Sequence, residues 1–579
     1  MRSTGRDRSD RHVALALCAL AFALVWASPA FAQAGGPPPA EPGTTRIALL
    51  GCLRQDRPVP ALEKYPALKP DLSVWVGDNV YADTTDDPGF IEACYRRLEN
   101  RPGFSELREA APFAVTWDDH DFGLNNSGKT YALKEESKRI FRRFWGLEDE
   151  IPADRDGVYH ARTFEVDGHT LRVILLDIRY NRDDPYTGGD MLGQRQWRWL
   201  ENELRASADL TLVVSGTQII LDGDAGWESW GQYPASRSRL FETIRDAAAE
   251  NVVFIAGDQH YAEANRMHGA LDFDAVELMF AGVNQIEPHR MNSYRVTPVG
   301  TSEHSYAYVD VQWEGTSQDL PHMVFRVHDA ETDALDIHHR VNFEDIRLSL
   351  RIEGHDEFVD EHAVLIEHEH PALHARFTTD GTDPTAASPR YRSPIIIKET
   401  TTVKTALFTE ENRRRSRVRS RTLRSVEPLR SVRAGQAEPG LRFGYWEGSF
   451  LLIPDFSAAE PIREGVASDF DVGELASRED GFAIEYRGFL QVPESGMYTL
   501  WTRSDDGSKL YVHDELVVDN DGSHSPRTRR GRIALERGHH PVRIEYFEHY
   551  AGQELDVGWE GPGVEYGSVP FERFSHAGE

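Results

Sequence analysis

Four short apolar segments of this sequence end in the same way, and this repetition constrains the fold more than any other feature. Each leads into side chains that are able to bind a metal ion. The segments are Arg46 to Leu50 before Cys52, Leu72 to Val76 before Asp78 and Tyr81, Phe113 to Trp117 before Asp118 and Asp119, and Val252 to Ala256 before Asp258 and His260. Apolar runs of this length, rich in β-branched residues, are typical of buried strands. Because sites in α/β sheets form beyond the carboxyl ends of strands, we expect the four loops to come from adjacent strands and to meet in one crevice.

The side chains at these strand ends predict a metal centre. Several carboxylates brought together would repel one another unless cations neutralised them. The thiol of Cys52, the phenol of Tyr81 and the imidazole of His260 suit a transition ion, whereas carboxylates and amides suit a harder cation. A single aspartate after a strand is more often a helix cap than a ligand, but four such loops together favour a mixed, polynuclear site.

The first 32 residues are interpreted as an export signal. They contain four arginines, then an apolar run at residues 13–26 and the small-residue sequence Ala-Phe-Ala at 30–32. This pattern predicts export by a Sec-type route and a secreted or periplasmic protein. No second apolar stretch is long enough to cross a bilayer, so we expect no membrane span.

The net charge limits the partners that the chain is expected to bind, and the cysteine content limits its possible disulfides. The chain has a formal net charge of −31, which repels the backbones of nucleic acids, so no nucleic-acid-binding surface is expected. Outside the signal segment the cysteines are Cys52 and Cys94. They are compatible with one disulfide or with two separate roles.

The pattern of strand-like, helical and turn-rich segments predicts three folded regions after the signal segment at 1–32. Residues 45–350 alternate strand candidates with helical stretches such as Leu192 to Leu204, which is typical of an α/β domain. Residues 351–427 and 436–575 combine short strand candidates with turns, so two all-β domains are expected. The arginine-rich stretch from Arg413 to Arg433 is interpreted as a solvated final strand and linker, with an anion-binding patch as the alternative.

Motifs spread over the first region together resemble the PhoD-like alkaline phosphatase/phosphodiesterase family. They are Cys52 after the first strand, GDNVY at 77–81, TWDDHDFGLNN at 116–126, DIRYNR at 177–182, LGQRQWRWLENEL at 192–204 and GDQH at 257–260. The resemblance implies a four-layer αββα metallophosphatase sandwich. It also implies hydrolysis of phosphate mono- or diesters by water that metal ions activate.

The resemblance further implies roles for individual residues. Asp78 would bridge the metals, Cys52 and Tyr81 would bind iron, and the remaining ligands, in part around calcium, would be Asp119, Asn125, Asp258 and His260. Other divalent metals are alternatives to these two. Asp118 and Asn126 lie beside Asp119 and Asn125 and are the alternatives to them. His120 would donate a proton to the leaving group or stabilise the transition state. Arg179 and Arg182 would hold phosphate oxygens, and surface salt bridges are the alternative role for both.

The two later regions resemble known non-catalytic modules. The segment HARFTTDGTDPTAASPRYRSP at 374–394 resembles the chitobiase/hexosaminidase C-terminal module, for which an Ig-like β-sandwich is expected. Residues 488–522 resemble a PA14 domain. This second resemblance implies glycan binding through calcium held by Asp505 and Asp506, and the alternative is that both aspartates are turn residues.

Two functions follow from these observations. The first is a secreted, metal-dependent phosphoesterase with a C-terminal glycan-binding or targeting module. The alternative is a glycan-binding surface protein built on a phosphatase scaffold that has lost activity. The presence of every ligand type in the first region favours the enzyme, and a phosphatase assay with and without a chelator separates the two functions.

Overall fold

The computed structural model describes residues 40, 43–222, 228–300, 302, 304–315, 319–550 and 552–578. The segment interpreted as an export signal lies outside the described residues. Among the described helices, none combines the length and the apolar character that a membrane crossing requires.

The first region is mixed α/β, as predicted. Its strands are β1 (Thr44–Leu50), β2 (Leu72–Trp75), β3 (Phe113–Val115), β4 (His160–Val166), β5 (His169–Leu175), β6 (Leu210–Ser215), β7 (Val252–Ala256), β8 (Ala262–Met267), β9 (Ala275–Phe280), β10 (Ser305–Gln312), β11 (His322–Asp329) and β12 (Leu335–Asn342). Its helices are α1 (Pro60–Leu68), α2 (Pro88–Glu99), α3 (Phe104–Ala110), α4 (Asp119–Phe122), α5 (Lys134–Trp145), α6 (Gln194–Leu204) and α7 (Pro234–Asp246).

These strands form two six-stranded sheets. The first has the order β12-β11-β10-β1-β2-β3, in which β1, β2 and β3 are parallel neighbours. The second has the order β4-β5-β6-β7-β9-β8, in which β5, β6, β7 and β9 are parallel. The expectation of four adjacent strands is therefore wrong in one respect: β7, which leads to Asp258 and His260, belongs to the second sheet.

Alternation along the strands of the second sheet explains how the layers pack. Leu212 and Val214 of β6 lie in a hydrophobic cluster that also contains Ile47 and Val74 of the first sheet. Val213 points the other way, into a cluster with Trp197 of α6 and residues of α7. Because successive strand residues face opposite sides, β6 is buried on both faces. The two sheets thus share one core, with α6 and α7 on the far side of the second sheet.

The later regions are β-rich. The strands of the middle region are β13 (Leu350–Glu353), β14 (Glu357–Phe358), β15 (His362–His368), β16 (His374–Thr378), β17 (Ile395–Ile397), β18 (Thr401–Phe408) and β19 (Arg419–Ser425), in a three-stranded and a four-stranded sheet. The last region has β20 (Ala437–Pro439), β21 (Leu441–Glu447), β22 (Arg463–Ala467), β23 (Phe482–Val492), β24 (Gly496–Asp505), β25 (Ser508–Val512), β26 (Glu515–Asn520), β27 (Arg527–Leu535), β28 (Gly538–Glu548), β29 (Glu554–Gly561), β30 (Val564–Ser568) and β31 (Phe574–Ala577), with the short helix α8 (Val472–Leu475).

The arginine-rich stretch from Arg413 to Arg433 contains the predicted final strand, but it is not a solvated linker throughout. Its strand is β19, as expected. The residues after it are docked on the last region: the N–H of Leu429 donates to the carbonyl of Ala534 at 2.8 Å, and that of Val432 donates to the carbonyl of His539 at 2.8 Å. Backbone bonds of this kind fix the connection between the two β-rich regions, so these residues do not form a free linker.

Candidate metal centre

The loops after β1, β2, β3 and β7 converge, as the sequence predicts. Three overlapping groups of side chains place their ligand atoms within 4.8 Å of one another: Cys52, Asp78 and His260; Asp78, Asp119 and His120; and Asp78, Asp118, Asp119 and Asp258. Asp78 belongs to all three groups. Its position at the centre of the cluster is the one that a bridging ligand would occupy.

One side of the cluster carries the softer donors. The Cys52 thiol lies 3.6 Å from Oδ2 of Asp78, and the Tyr81 hydroxyl lies 3.2 Å from the same oxygen. The Tyr81 hydroxyl also lies 3.0 Å from Nε2 of His260. Gln55 fixes this tyrosine, because its side chain bonds both the N–H and the carbonyl of Tyr81. The thiol and the phenol therefore lie beside one carboxylate oxygen, and the imidazole lies beside the phenol.

The other side of the cluster consists of carboxylates. Asp119 begins the one-turn helix α4, and its Oδ2 accepts the N–H of Asn126 at 2.6 Å. Asp258 accepts hydrogen bonds from the Thr217 hydroxyl at 2.6 Å and from the Gln259 amide at 2.9 Å. Asp118 is both a member of the third group and the residue that caps α4. Asp118 and Asp119, the two candidates for one ligand position, thus both lie inside the cluster as neighbouring carboxylates.

Asn125 lies at the edge of this arrangement. Its backbone N–H donates to Asp83 at 3.1 Å, and the residue is exposed. Asn126 is also exposed and contributes its backbone to Asp119. A ligand role for the Asn125 amide remains a prediction.

The backbone of the cluster is unusual. Cys52, Asp78, Asp258 and His260 all have positive φ angles, of 54°, 49°, 75° and 57°. Non-glycine residues rarely adopt this left-handed conformation, which costs about 1–3 kcal/mol for each residue and concentrates at functional sites. The sharp turns aim the side chain that follows each strand back toward the others.

Burial, and then repulsion between like charges, shifts the pKa values of the cluster. Burial, followed by the charges of Asp119 and Asp118, raises the pKa of Asp78 well above its ordinary value. Burial and then Asp118 raise the pKa of Asp258 to about 7, and burial with Asp78 raises the pKa of the Cys52 thiol. The same cause, burial, lowers the pKa of His260 to about 4, which keeps its imidazole neutral. Deprotonating these acids together requires added positive charge.

Arg179 and Arg182 lie inside the protein. They are 0% and 3% exposed, so the alternative of salt bridges is right about ion pairing and wrong about a surface position. Arg179 Nε contacts Asp118 Oδ1, and Arg179 Nη1 lies 2.7 Å from Glu228 Oε1. Arg182 pairs with the same carboxylate of Glu228 and donates to the carbonyl of Asn126. Both guanidinium groups thus engage protein acceptors, and their predicted contact with phosphate stays a prediction.

His120 lies at the border between the cluster and solvent. Its Nδ1 lies 2.7 Å from Asp83 Oδ1, and its ring packs on that of Tyr81 with a centroid distance of 4.1 Å. Burial lowers the pKa of His120, but the hydrogen bond with Asp83 and the charge of Asp119 outweigh it and raise this pKa overall. The side chain is 15% exposed. Because Asp83 holds Nδ1, Nε2 is the ring nitrogen that a proton transfer would use.

Several residues of this site were not predicted. Glu228, Asp83 and Gln55 lie in loops without a strand-end signal, and Thr217 follows β6 but is not a usual metal ligand. Asp83 was the most accessible to prediction, since it lies two residues after Tyr81. The two cysteines do not form a disulfide: Cys52 and Cys94 are buried free thiols.

The donor set fits a metal. Oδ2 of Asp118 and Oδ1 of Asp119 are buried without a hydrogen-bond partner among the described residues, which is costly unless a cation takes that place. Oxygen, nitrogen and sulfur donors are all present in the three overlapping groups. Acidic and histidine clusters that are able to hold metal ions are therefore present among the described residues.

The aspartates of the last region have a different environment. The carboxylate of Asp506 accepts hydrogen bonds from the Ser523 hydroxyl at 2.7 Å and from the N–H groups of His524 and His549 at 3.0 and 2.7 Å. Among the described residues of this region, no three His, Cys, Asp or Glu side chains gather as a metal would need. These contacts favour the turn role of Asp506, and calcium binding with Asp505 stays a prediction.

Comparisons with known proteins match three segments of the chain. A model of the PhoD-like phosphatase family matches residues 92–318, one of the chitobiase/beta-hexosaminidase C-terminal domain matches 356–420, and one of the PA14 domain matches 437–573. The first match includes the loops after β3 and β7 but begins after Cys52, Asp78 and Tyr81.

Individual relatives are distant. Alkaline phosphatase D of Bacillus subtilis (strain 168) is 27% identical over 200 residues, which is 28% of this chain and 33% of that protein. Anti-sigma-I factor RsgI3 of Acetivibrio thermocellus is 28% identical over 145 residues, 24% of this chain and 22% of that protein. The chain thus spans a third or less of the length of these curated relatives.

Two solved structures are also similar to parts of this chain. A structure of PhoD is 20% identical and covers 53% of this chain and 73% of its own, with a TM-score of 0.37. A PA14 sugar-binding domain from an RTX adhesin is 19% identical and covers 24% of this chain and 98% of its own, with a TM-score of 0.22. The three family matches confirm the resemblances that the sequence motifs indicate: the chain is similar to PhoD-like phosphatases in its first region, and to chitobiase/hexosaminidase C-terminal and PA14 domains after it.

Proposed function

We propose that the protein is an exported, metal-dependent phosphoesterase whose active site is the cluster around Asp78, within a four-layer αββα sandwich. The observation that carries this proposal is that one buried carboxylate belongs to three overlapping groups of metal-type ligands. Cations bound there would lower the pKa of a water molecule and offset charge on the phosphate oxygens. Iron and calcium are the proposed metals, by resemblance.

The residues around the cluster divide the work. Cys52, Tyr81 and His260 would hold a transition ion on one side of Asp78, and Asp119 with Asp258 would hold a harder ion on the other. Arg179 and Glu228 keep the carboxylates of the second side in position through buried ion pairs. Their primary role is therefore to orient ligands, in addition to any contact with substrate.

His120 is the proposed proton donor. Asp83 holds its Nδ1, which leaves Nε2 to protonate the oxygen of the departing alcohol. A general acid matters most when the leaving group is basic. Replacing His120 by asparagine should therefore lower kcat by about 100-fold or more on phenyl phosphate and by less on p-nitrophenyl phosphate, whose leaving group needs little protonation.

The direct test is an assay of the full chain with p-nitrophenyl phosphate and bis-p-nitrophenyl phosphate, with and without a chelator, and with metal content measured on the same samples. Asp78→Asn should remove bound metal and lower kcat/KM by at least about 100-fold. Asp86→Asn is the matched control, because Asp86 is exposed and lies eight residues further along the same loop. Full activity in Asp78→Asn, or a wild-type chain that binds metal without hydrolysing either ester, would contradict the proposal. The second result would favour the inactive scaffold.

A glycan-binding role for residues 437–573 is proposed only through the PA14 resemblance. It is tested by retention of the full chain on a glycan array with and without calcium. Calcium-dependent retention that Asp505→Asn abolishes would support the role, and absence of retention across the array would contradict it.

A further inference from the structure

A second, positively charged site lies where the first region meets the middle region. A cavity of about 510 Å³ at this junction is lined by five arginines, against two aspartates, Asp209 and Asp383. The arginines are Arg205, Arg347, Arg414, Arg417 and Arg419. In a chain whose net charge is −31, such a local excess of positive charge stands out. Arginine, unlike lysine, presents a planar fork of donors that matches the oxygens of phosphate.

Part of this charge serves to join the two regions. Arg419 pairs with the buried carboxylate of Glu250 at 2.9 Å, and Arg417 donates to the carbonyl of Ala208. Just outside the cavity, Arg415 pairs with Asp246 at 2.8 Å. These contacts hold the arginines of the middle region against the second sheet of the first region, so the cavity walls are fixed by protein bonds.

Other guanidinium groups of the cavity are not used in this way. Among the described residues, the side chains of Arg347 and Arg414 form no hydrogen bond or ion pair with protein. Burial, and then the charge of Arg419, lowers the pKa of Arg347, although Glu344 and Glu250 act in the opposite direction. Of the two aspartates, Asp383 is already paired with Lys404 at 2.9 Å, and Asp209 accepts the N–H of Thr170 at 2.8 Å. Among the described residues, the guanidinium groups of Arg347 and Arg414 are therefore the donors of this cavity without a bonded acceptor.

A second cavity lies beside the first. This space of about 410 Å³ shares Arg347 and Arg419 with the first, and its lining adds Arg351, which pairs with Glu344 at 3.3 Å, and Glu369. An anion with two charged groups would engage the guanidinium groups of Arg347 and Arg414 at once. A ligand with a single carboxylate would leave one of them unused.

The position separates this site from the metal cluster. The cavity is lined by residues that precede β6 and β7, such as Asp209 and Asn251, whereas the metal ligands follow β7. The two sites are thus at opposite ends of the same strands, about 15–20 Å apart for strands of five or six residues. An anion in the cavity would not contact the ligands of the cluster.

We propose that this arginine-lined cavity binds an anion with at least two phosphoryl groups, at a site separate from the metal centre. The donors are those of Arg347 and Arg414, with Arg419 between the two cavities. The proposal does not depend on phosphoesterase activity. It takes up the anion-binding alternative for the arginine-rich stretch and places its partners, Arg205 and Arg347, in the first region.

The test uses imidodiphosphate, whose P–N–P bridge resists hydrolysis, and the full chain. Calorimetry gives the affinity, and hydrogen–deuterium exchange gives the place of binding. We expect protection of residues 204–209 and 414–419, and an affinity that falls about tenfold or more in Arg347→Gln/Arg414→Gln, since bonds to ionised groups are among the strongest. Arg430→Gln is the matched control, because Arg430 is exposed and lies outside the cavity lining.

Three outcomes would overturn the proposal. The first is protection confined to the loops after β2, β3 and β7, which would place the anion in the metal centre. The second is an equal loss of affinity in Arg430→Gln and in the double variant, which would indicate a general field effect. The third is tighter binding of a trisulfated disaccharide than of imidodiphosphate, which would make the ligand a sulfated glycan. Activity on p-nitrophenyl phosphate is measured alongside and should be the same in all variants.

Discussion

Replacing Arg179 by methionine tests how the carboxylates of the cluster are kept together. The guanidinium is fully buried, touches Asp118, lies 2.7 Å from Glu228 and has Nη2 3.7 Å from Asp119. Methionine keeps much of the length and removes the charge, which leaves three buried carboxylates without their shared partner. Breaking a buried ion pair on one side costs about 3–5 kcal/mol. We expect a loss of this size in the free energy of unfolding of the first region when metal is chelated.

The expected loss depends on metal. A cation bound among the same carboxylates replaces part of the missing positive charge, and any ligand that binds only the folded state adds stability. Urea unfolding followed by tryptophan fluorescence, with chelator and with added divalent metal, should therefore show a smaller loss with metal. Arg205→Met is the control, because its pair with Glu201 is exposed and contributes less than about 1 kcal/mol. A loss below about 1 kcal/mol in Arg179→Met with chelator, or an equal loss in both conditions, would refute the reasoning.

Three further predictions concern other parts of the first region. Burial raises the pKa of the Glu277 carboxyl to about 7. This carboxyl therefore loses its proton at a lower pH in the unfolded chain than in the folded one, and the free energy of unfolding should fall by about 3 kcal/mol between pH 4.5 and 7. Urea unfolding across this range should show a flatter profile in Glu277→Gln, and an unchanged slope would exclude this cause. A Cβ at Gly216 would lie 2.4 Å from Asp118 Oδ1. Gly216→Ala should therefore displace that carboxylate and lower kcat about tenfold or more. An assay of the purified variant measures kcat, and a wild-type value would show that the site adapts to the methyl group. Trp145 is 1% exposed, and its ring centroid lies 5.2 Å from that of Trp75. Replacing Trp145 by alanine should lower the free energy of unfolding by about 3–5 kcal/mol, measured by the urea midpoint. A loss under about 1 kcal/mol would mean that neighbouring core side chains fill the space.

The strand-end residues of the candidate site could be predicted because their signal is local. A buried strand is a short apolar run, and the residue after it is fixed by position in the chain. Cys52, Asp78, Asp119 and His260 were found in this way, and the structure brings them together. Arg414, Arg417 and Arg419 were visible only as part of a basic stretch, and Arg205 and Arg347 gave no signal, because the charge of a cavity depends on which distant residues share its walls. Arg347 and Arg414 meet there through contacts between two regions.

The sequence by itself determined the chemical types at the centre and the order of strands and helices that present them, since both follow from short-range pattern. The tertiary structure decided which sheet each strand joins, so that Asp258 comes from the second sheet and Asp78 from the first. It also decided that Arg179 is buried against Asp118, and that the backbone at Cys52 and Asp78 turns left-handed. Burial, charge pairing and backbone strain are properties of the packed chain, because each depends on neighbours that lie far away in sequence.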